Sequence, residues 1–77
     1  MRKRVGRRVF ARDRLADQLR DRGYTNEDFG RLLGISPSAV SMYRCGRREP
    51  SLSVLVDMAQ LLHVSPGWLL GLDEEVG

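Results

Sequence analysis

The sequence predicts an all-α fold of five short helices. Three observations predict it. Apolar residues recur at intervals of three and four in successive segments, the period of a helix with one buried face. Glycines at 23, 34, 46 and 71 and the pairs Ser36-Pro37 and Ser65-Pro66 punctuate those segments at the places where helices stop and start. No segment alternates apolar and polar residues as a half-buried strand does.

The first helix is expected from about Val9 to Arg22. Ala11, Leu15, Leu19 and Arg22 fall at helical spacing, and Arg12, Asp13, Asp17, Arg20 and Asp21 supply the wet side. Gly23 suits the left-handed stop after the last turn. Thr25 reads as the cap of a second helix, Asn26 to about Leu33. Its hydroxyl can accept from the backbone of Glu27 or Asp28, and Asp28 makes a short-armed capping box. Phe29, Leu32 and Leu33 are available for the core, and Gly34 ends the helix.

The third helix opens with a serine cap and a proline at its first position, where a missing N–H does no harm. It runs from Ser36-Pro37 to about Cys45, and Gly46 stops it. Ile35 before the cap and Val40 at the fourth helical position have the spacing of a hydrophobic staple. Arg47-Arg48-Glu49-Pro50 is a loop. Ser51 caps a fourth helix, Leu52 to Leu62, with Leu52, Leu55, Ala59 and Leu62 as its main stripe and Met58 beside it. His63-Val64 makes the turn, so His63 is a turn residue and not a ligand. Ser65-Pro66 opens a short fifth helix through about Leu70, which Gly71 ends.

Domain organisation follows. Residues 1–8 are a flexible basic arm, residues 9–72 one helical domain, and residues 73–77 an acidic tail. Seventy-seven residues make at most one domain, with no room for a ligand-sensing unit. The single cysteine and single histidine exclude a four-ligand zinc site and an internal disulfide. No metal and no cofactor are expected. No apolar run is long enough to span a membrane, and no apolar stretch follows the charged N-terminus as in a signal peptide. The expected location is the cytoplasm.

The charge is lopsided. Residues 1–48 hold thirteen bases against five acids, a balance of +8; residues 49–77 hold five acids and no base, a balance of −5. A basic half beside an acidic half is expected when one face meets a polyanion, although a solubility bias has the same composition.

Two short helices joined through Gly34-Ile35-Ser36 match the helix-turn-helix plan, in which the second helix lies in the major groove of DNA. Gly30 is small where the helices must approach closely, and Gly34 permits positive φ at the turn. On a helical wheel Val40 and Tyr43 point inward, while Ser38, Ser41, Met42 and Cys45 point outward.

The stretch from Asn26 to Cys45 resembles the Cro and lambda-type repressor family, also called the XRE family of bacterial and phage regulators. The likeness extends from about residue 14 to residue 72. Arg22-Gly-Tyr-Thr25 resembles the family's entry to its second helix. Gly34-Ile-Ser36, Val40-Ser-Met-Tyr43 and Gly46-Arg-Arg-Glu-Pro-Ser51 resemble its recognition helix and following loop, and Val64-Ser-Pro-Gly-Trp-Leu-Leu-Gly71 its last helix. The resemblance implies a lambda-repressor-like fold.

It also implies roles. The positions matching Pro37, Ser38, Ser41 and Met42 face base edges. The serines can exchange hydrogen bonds with several bases, Met42 can pack on a thymine methyl, and Pro37 offers apolar contact alone. Asn26 stands where the family usually has glutamine. It either holds a phosphate with the helix N-terminus or serves as a second cap-like residue. Ser36 can cap its helix and touch phosphate at once. Arg47 and Arg48 are the best candidates for the DNA backbone, and Arg48 can also reach a base edge. Arg44 replaces the glutamate common in the family; it either attracts phosphate or pairs with Glu49. Arg2, Lys3, Arg4, Arg7 and Arg8 of the arm, outside the resemblance, either wrap the duplex or form a solubility tail. Cys45 is an unremarkable small residue or a redox-sensitive thiol near DNA. Trp68 and Leu72 either pack on the core or form a two-fold interface, as the family's last helix often does.

The implied function is a transcriptional regulator, a repressor, that binds double-stranded DNA as a homodimer on two half-sites one helical turn apart. Control would come from concentration, competition or a regulatory partner protein. Two alternatives stand beside it: the antitoxin of a toxin–antitoxin pair, and a protein-interaction module that has kept the fold without DNA binding. An enzyme is not expected, because no nucleophile–base constellation and no phosphate-cradling glycine loop occur.

Overall fold

The computed structural model describes residues 10–72. The arm expected at residues 1–8 and the tail expected at residues 73–77 lie outside the described residues. Five helices follow one another: α1 (Arg12–Arg22), α2 (Asn26–Leu33), α3 (Pro37–Cys45), α4 (Leu52–Leu62) and α5 (Pro66–Leu69).

Local chemistry sets most of these limits. Thr25, Ser36, Ser51 and Ser65 each accept a hydrogen bond from the backbone N–H three residues on, satisfying a donor the helix start would otherwise leave open. At Thr25 the reciprocal bond is also made, from the Thr25 N–H to Asp28 Oδ2 at 3.1 Å, which completes the capping box. Helices α1, α2 and α3 end on left-handed glycines, and α4 ends on His63 at φ 57°. His63 is thus the turn residue its position suggested.

Two limits differ from the sequence reading. α1 starts at Arg12, not near Val9, which lies outside the described residues. Ala11 is its N-cap, with no side-chain cap bond. The Ala11 N–H instead donates to the Leu69 carbonyl at 2.7 Å, and the Arg12 N–H donates to the Phe10 carbonyl at 3.0 Å, so the chain is turned at Ala11 and tied to α5 before the helix begins. α5 ends at Leu69, because Leu70 leaves the helical path before the left-handed Gly71.

The core draws on every helix. Leu15 and Leu19 of α1 meet Phe29 of α2, Val40 and Tyr43 of α3, Leu55, Met58, Ala59 and Leu62 of α4, and Leu69 of α5. Phe29 is fully buried, and such burial contributes about 1.5–3 kcal/mol. Two expected core residues face solvent instead. Leu52 is 74% exposed because it opens α4 beyond the edge of its neighbours, and Leu32 is 52% exposed. Leu32 and Leu33 flank an open depression of about 260 Å³ whose other wall is Asp57, Gln60 and Leu61 of α4. No helix among the described residues is long and apolar enough to cross a membrane.

Candidate nucleic-acid interface

The site is built on the turn between α2 and α3. Helix α2 packs chiefly on α3, and α1 also packs on α3. Gly30 makes the close approach: a Cβ there would lie 2.7 Å from the Ile35 carbonyl oxygen. The Ile35 N–H returns to the Gly30 carbonyl at 2.9 Å, and Gly34 takes φ 75° to let the chain reverse. Ser36 Oγ then accepts from the Ala39 N–H at 3.1 Å, and Pro37 occupies the first turn of α3.

Helix α3 has two faces. Val40 and Tyr43 are buried in the core. Ser38, Ser41, Met42 and Cys45 are exposed on the opposite side, together with Pro37 and Ser36 at the helix start. The outward face read from the helical wheel is the one observed. Cys45 is a free thiol whose Sγ points back to the Met42 carbonyl at 3.6 Å.

Arg44 does not pair with Glu49. Its Nη1 donates to Asn26 Oδ1 at 2.9 Å, with both residues partly buried. The start of α2 and the end of α3 are thereby linked. An acceptor oxygen engaged in this way leaves the Asn26 amide N–H groups as its remaining donors. Glu49 Oε2 instead accepts from the Phe10 N–H at 3.4 Å. Arg47 and Arg48 follow Gly46 and are exposed.

The basic half of the chain is not one patch. Several arginines of α1 serve the fold. Arg14 Nη1 donates to the Trp68 carbonyl at 2.8 Å, and its guanidinium lies 5.1 Å from the centre of the Trp68 ring. Arg22 Nη2 donates to the Leu62 carbonyl at 2.7 Å, satisfying the end of α4. Arg20 pairs with Asp17 and Arg31 with Asp28 on exposed surface. Among the described residues, the cations left at the end of α3 and in its following loop are Arg44, Arg47 and Arg48, with Arg12 beside Gly46. Sequence reading placed Arg12 only on the wet side of its helix. Its side chain lies against Gly46, 34 residues away, a proximity that no local pattern signals.

Trp68 is half-buried beneath Arg14, whereas Leu72 is 59% exposed. The two residues expected at a two-fold interface are therefore unequally available. The arm residues Arg2, Lys3, Arg4, Arg7 and Arg8 lie outside the described residues. The described residues contain no cluster of three or more His, Cys, Asp or Glu able to hold a metal.

Among the described residues, one titratable group is clearly shifted. The Asp28 carboxyl is held below its ordinary value of 3.8 by the Thr25 backbone N–H first, then by the Thr25 side chain. Desolvation opposes the shift, and the Arg31 charge adds to it. The negative form of Asp28 also complements the positive end of α2.

Comparison with known proteins agrees with this architecture. A family model described as "Helix-turn-helix" matches residues 15–69. An uncharacterized HTH-type transcriptional regulator of Bacillus subtilis (strain 168), YazB, is 38% identical over 60 residues, 78% of this chain and 78% of that protein. The P22 c2 repressor protein, crystallised with a synthetic operator, superposes with a TM-score of 0.78 at 23% identity, over 83% of this chain and 97% of that one. A transcriptional regulator from Listeria innocua superposes with a TM-score of 0.76 at 26% identity, over 86% of this chain and 62% of that one. The structural likenesses establish the five-helix fold. The family match over most of the chain and the 38% identical relative establish that it belongs to the helix-turn-helix family.

Proposed function

We propose that this chain is a transcriptional regulator, acting as a repressor, that binds double-stranded DNA sequence-specifically with α3 in the major groove. One observation carries the reading. The exposed face of α3 (Ser38, Ser41, Met42) is bordered by Arg44, Arg47 and Arg48, and among the described residues none of these arginines is paired with a carboxylate. The names of the relatives, an HTH-type transcriptional regulator and a repressor with its operator, support it.

The roles divide by reach. Ser38 and Ser41 exchange hydrogen bonds with base edges, and Met42 packs on a thymine methyl. Pro37 makes apolar contact at the groove entrance. Asn26 and Ser36 hold phosphates at the two helix starts, and Arg47 and Arg48 hold the backbone beyond the end of α3. The arm residues Arg2, Lys3, Arg4, Arg7 and Arg8 precede Phe10, whose amide is bonded to Glu49 on the loop after α3. In this reading their positive charges add to the contact with the duplex. The working form is a cytoplasmic homodimer on a two-fold operator, with Leu72 more accessible than Trp68 to a second copy.

Selection of bound duplexes from a random pool tests the reading. Recovery of a shared motif with two-fold symmetry supports it. Met42→Ala and Ser38→Ala should then change the preferred bases, since each wrong base pair costs about 1–3 kcal/mol. A selected pool no different from the input contradicts the proposal.

A further inference from the structure

The start of α1 meets the end of α3 at Gly46. A Cβ at that glycine would lie 2.5 Å from Cδ of Arg12 and 2.8 Å from its Nε. The Arg12 side chain therefore lies directly across the backbone where α3 ends, in space only a glycine leaves open. Two residues earlier, the Phe10 N–H donates to Glu49 on the same loop. The entry to α1 is thus fastened along the Gly46–Glu49 segment that presents Arg47 and Arg48.

Arg12 differs from the other arginines of its helix. Arg14, Arg20 and Arg22 are engaged by Trp68, by Asp17, and by Gln18 and Leu62 respectively. Arg12 has a 3.5 Å contact with its neighbour Asp13, whose side chain is 84% exposed, while its own remains 51% exposed. An exposed pair of this kind is weak and easily exchanged. A DNA phosphate is the stronger competitor, because its neutralisation also releases condensed counterions.

We infer that Arg12 is a DNA-backbone contact, delivered from α1 to the end of the recognition helix by laying its stem over Gly46. The inference rests on the DNA-binding reading above. It makes Gly46 a seat for that stem as well as a left-handed helix stop, and it joins Arg12 to Arg47 and Arg48 in one phosphate-holding patch. A guanidinium at that place could also serve α3 alone, by complementing the negative end of its dipole. The two roles have different readouts.

The test uses the full chain and the variants Arg12→Met, Arg12→Lys and Arg20→Met. Binding to a selected duplex and to a random duplex is titrated over a range of salt, and thermal unfolding is recorded for each variant. Methionine keeps an apolar stem and removes the charge. Arg12→Met should make the log–log salt slope shallower by about 0.9 per bound protomer, the value of one phosphate, and so by about 1.8 for the homodimer, on both duplexes. Arg12→Lys should keep the wild-type slope, and Arg20→Met should leave it unchanged. A wild-type slope in Arg12→Met overturns the inference, and a lowered Tm alongside it assigns Arg12 to the end of α3. If the wild type binds no duplex even at low salt, the DNA reading itself falls, and this inference with it.

Discussion

The guanidinium of Arg44 donates to the side-chain oxygen of Asn26 across 2.9 Å, joining the last turn of α3 to the first residue of α2. Asparagine is one methylene shorter than the glutamine usual at this place in the family, and arginine replaces a frequent glutamate. The two departures meet in one hydrogen bond. Under the proposed function the Asn26 N–H groups hold a phosphate; the bond from Arg44 fixes the oxygen of that amide and places a positive charge beside it. Asn26→Ala and Arg44→Ala should each weaken DNA binding. The double variant should lose less than the sum of the two, with a coupling on the order of 0.5–3 kcal/mol in a double-mutant cycle. Strict additivity would separate the roles of the two side chains.

Gly30 is required by packing and not by backbone conformation. A methyl group there would meet the Ile35 carbonyl oxygen at 2.7 Å, a backbone atom fixed by the turn. Gly30→Ala should cost about 1–3 kcal/mol. In a domain this small each kcal/mol lowers Tm by about 4–8 °C. Calorimetry measures it, and an unchanged Tm would mean that the turn yields.

The capping serines separate folding from binding. Ser36 and Ser65 make the same bond, to the N–H groups of Ala39 and Trp68. Alanine at either should cost about 1 kcal/mol of stability. Ser36→Ala should also weaken DNA binding, because that hydroxyl sits at the start of the reading helix. Ser65→Ala should lower Tm with binding intact. Parallel unfolding and binding measurements on both variants distinguish the two effects.

These caps were legible in the sequence because a cap is a local device. The positions of α2, α3 and α4 follow from Thr25, Ser36, Ser51 and the residues that stop each helix. So does the outward face of α3, since Val40 and Tyr43 fix the wheel. What was not legible depends on contacts between distant segments. Leu32 and Leu52 lie on apolar stripes, but tertiary packing leaves both more than half exposed. α1 begins late because Ala11 bonds to Leu69. Among the bases, Arg14 and Arg22 serve α5 and α4, while Arg12 reaches the end of α3. Composition counts all of these charges alike, and only tertiary structure sorts them by face.

Asp28 gives the fold a defined acid limb. Its carboxyl is more acidic in the folded chain than its ordinary value of 3.8, chiefly through the Thr25 N–H. A depressed folded value means that its contribution is fully present above the unfolded value. The contribution is lost as pH falls through the folded one. Asp28→Ala should therefore unfold at a lower temperature than the wild type at neutral pH. The difference should narrow from about pH 4 downward, as the wild-type carboxyl becomes protonated. Thermal melts of both proteins across that range check it; a gap that widens on acidification would contradict the assignment.

The central claim is that α3 is held on DNA by arginines that neutralise phosphates. Salt dependence of binding measures this most directly. For the wild type, log K should fall linearly with log salt, with a slope of about −2.7 per bound protomer, about −5.4 for the homodimer, or steeper, if Arg44, Arg47 and Arg48 each neutralise one phosphate. Replacing Arg47 and Arg48 together by alanine should make the slope shallower by about 1.8 per bound protomer, about 3.6 for the homodimer. A slope unchanged by that double substitution, or no binding at the lowest salt, would contradict the account.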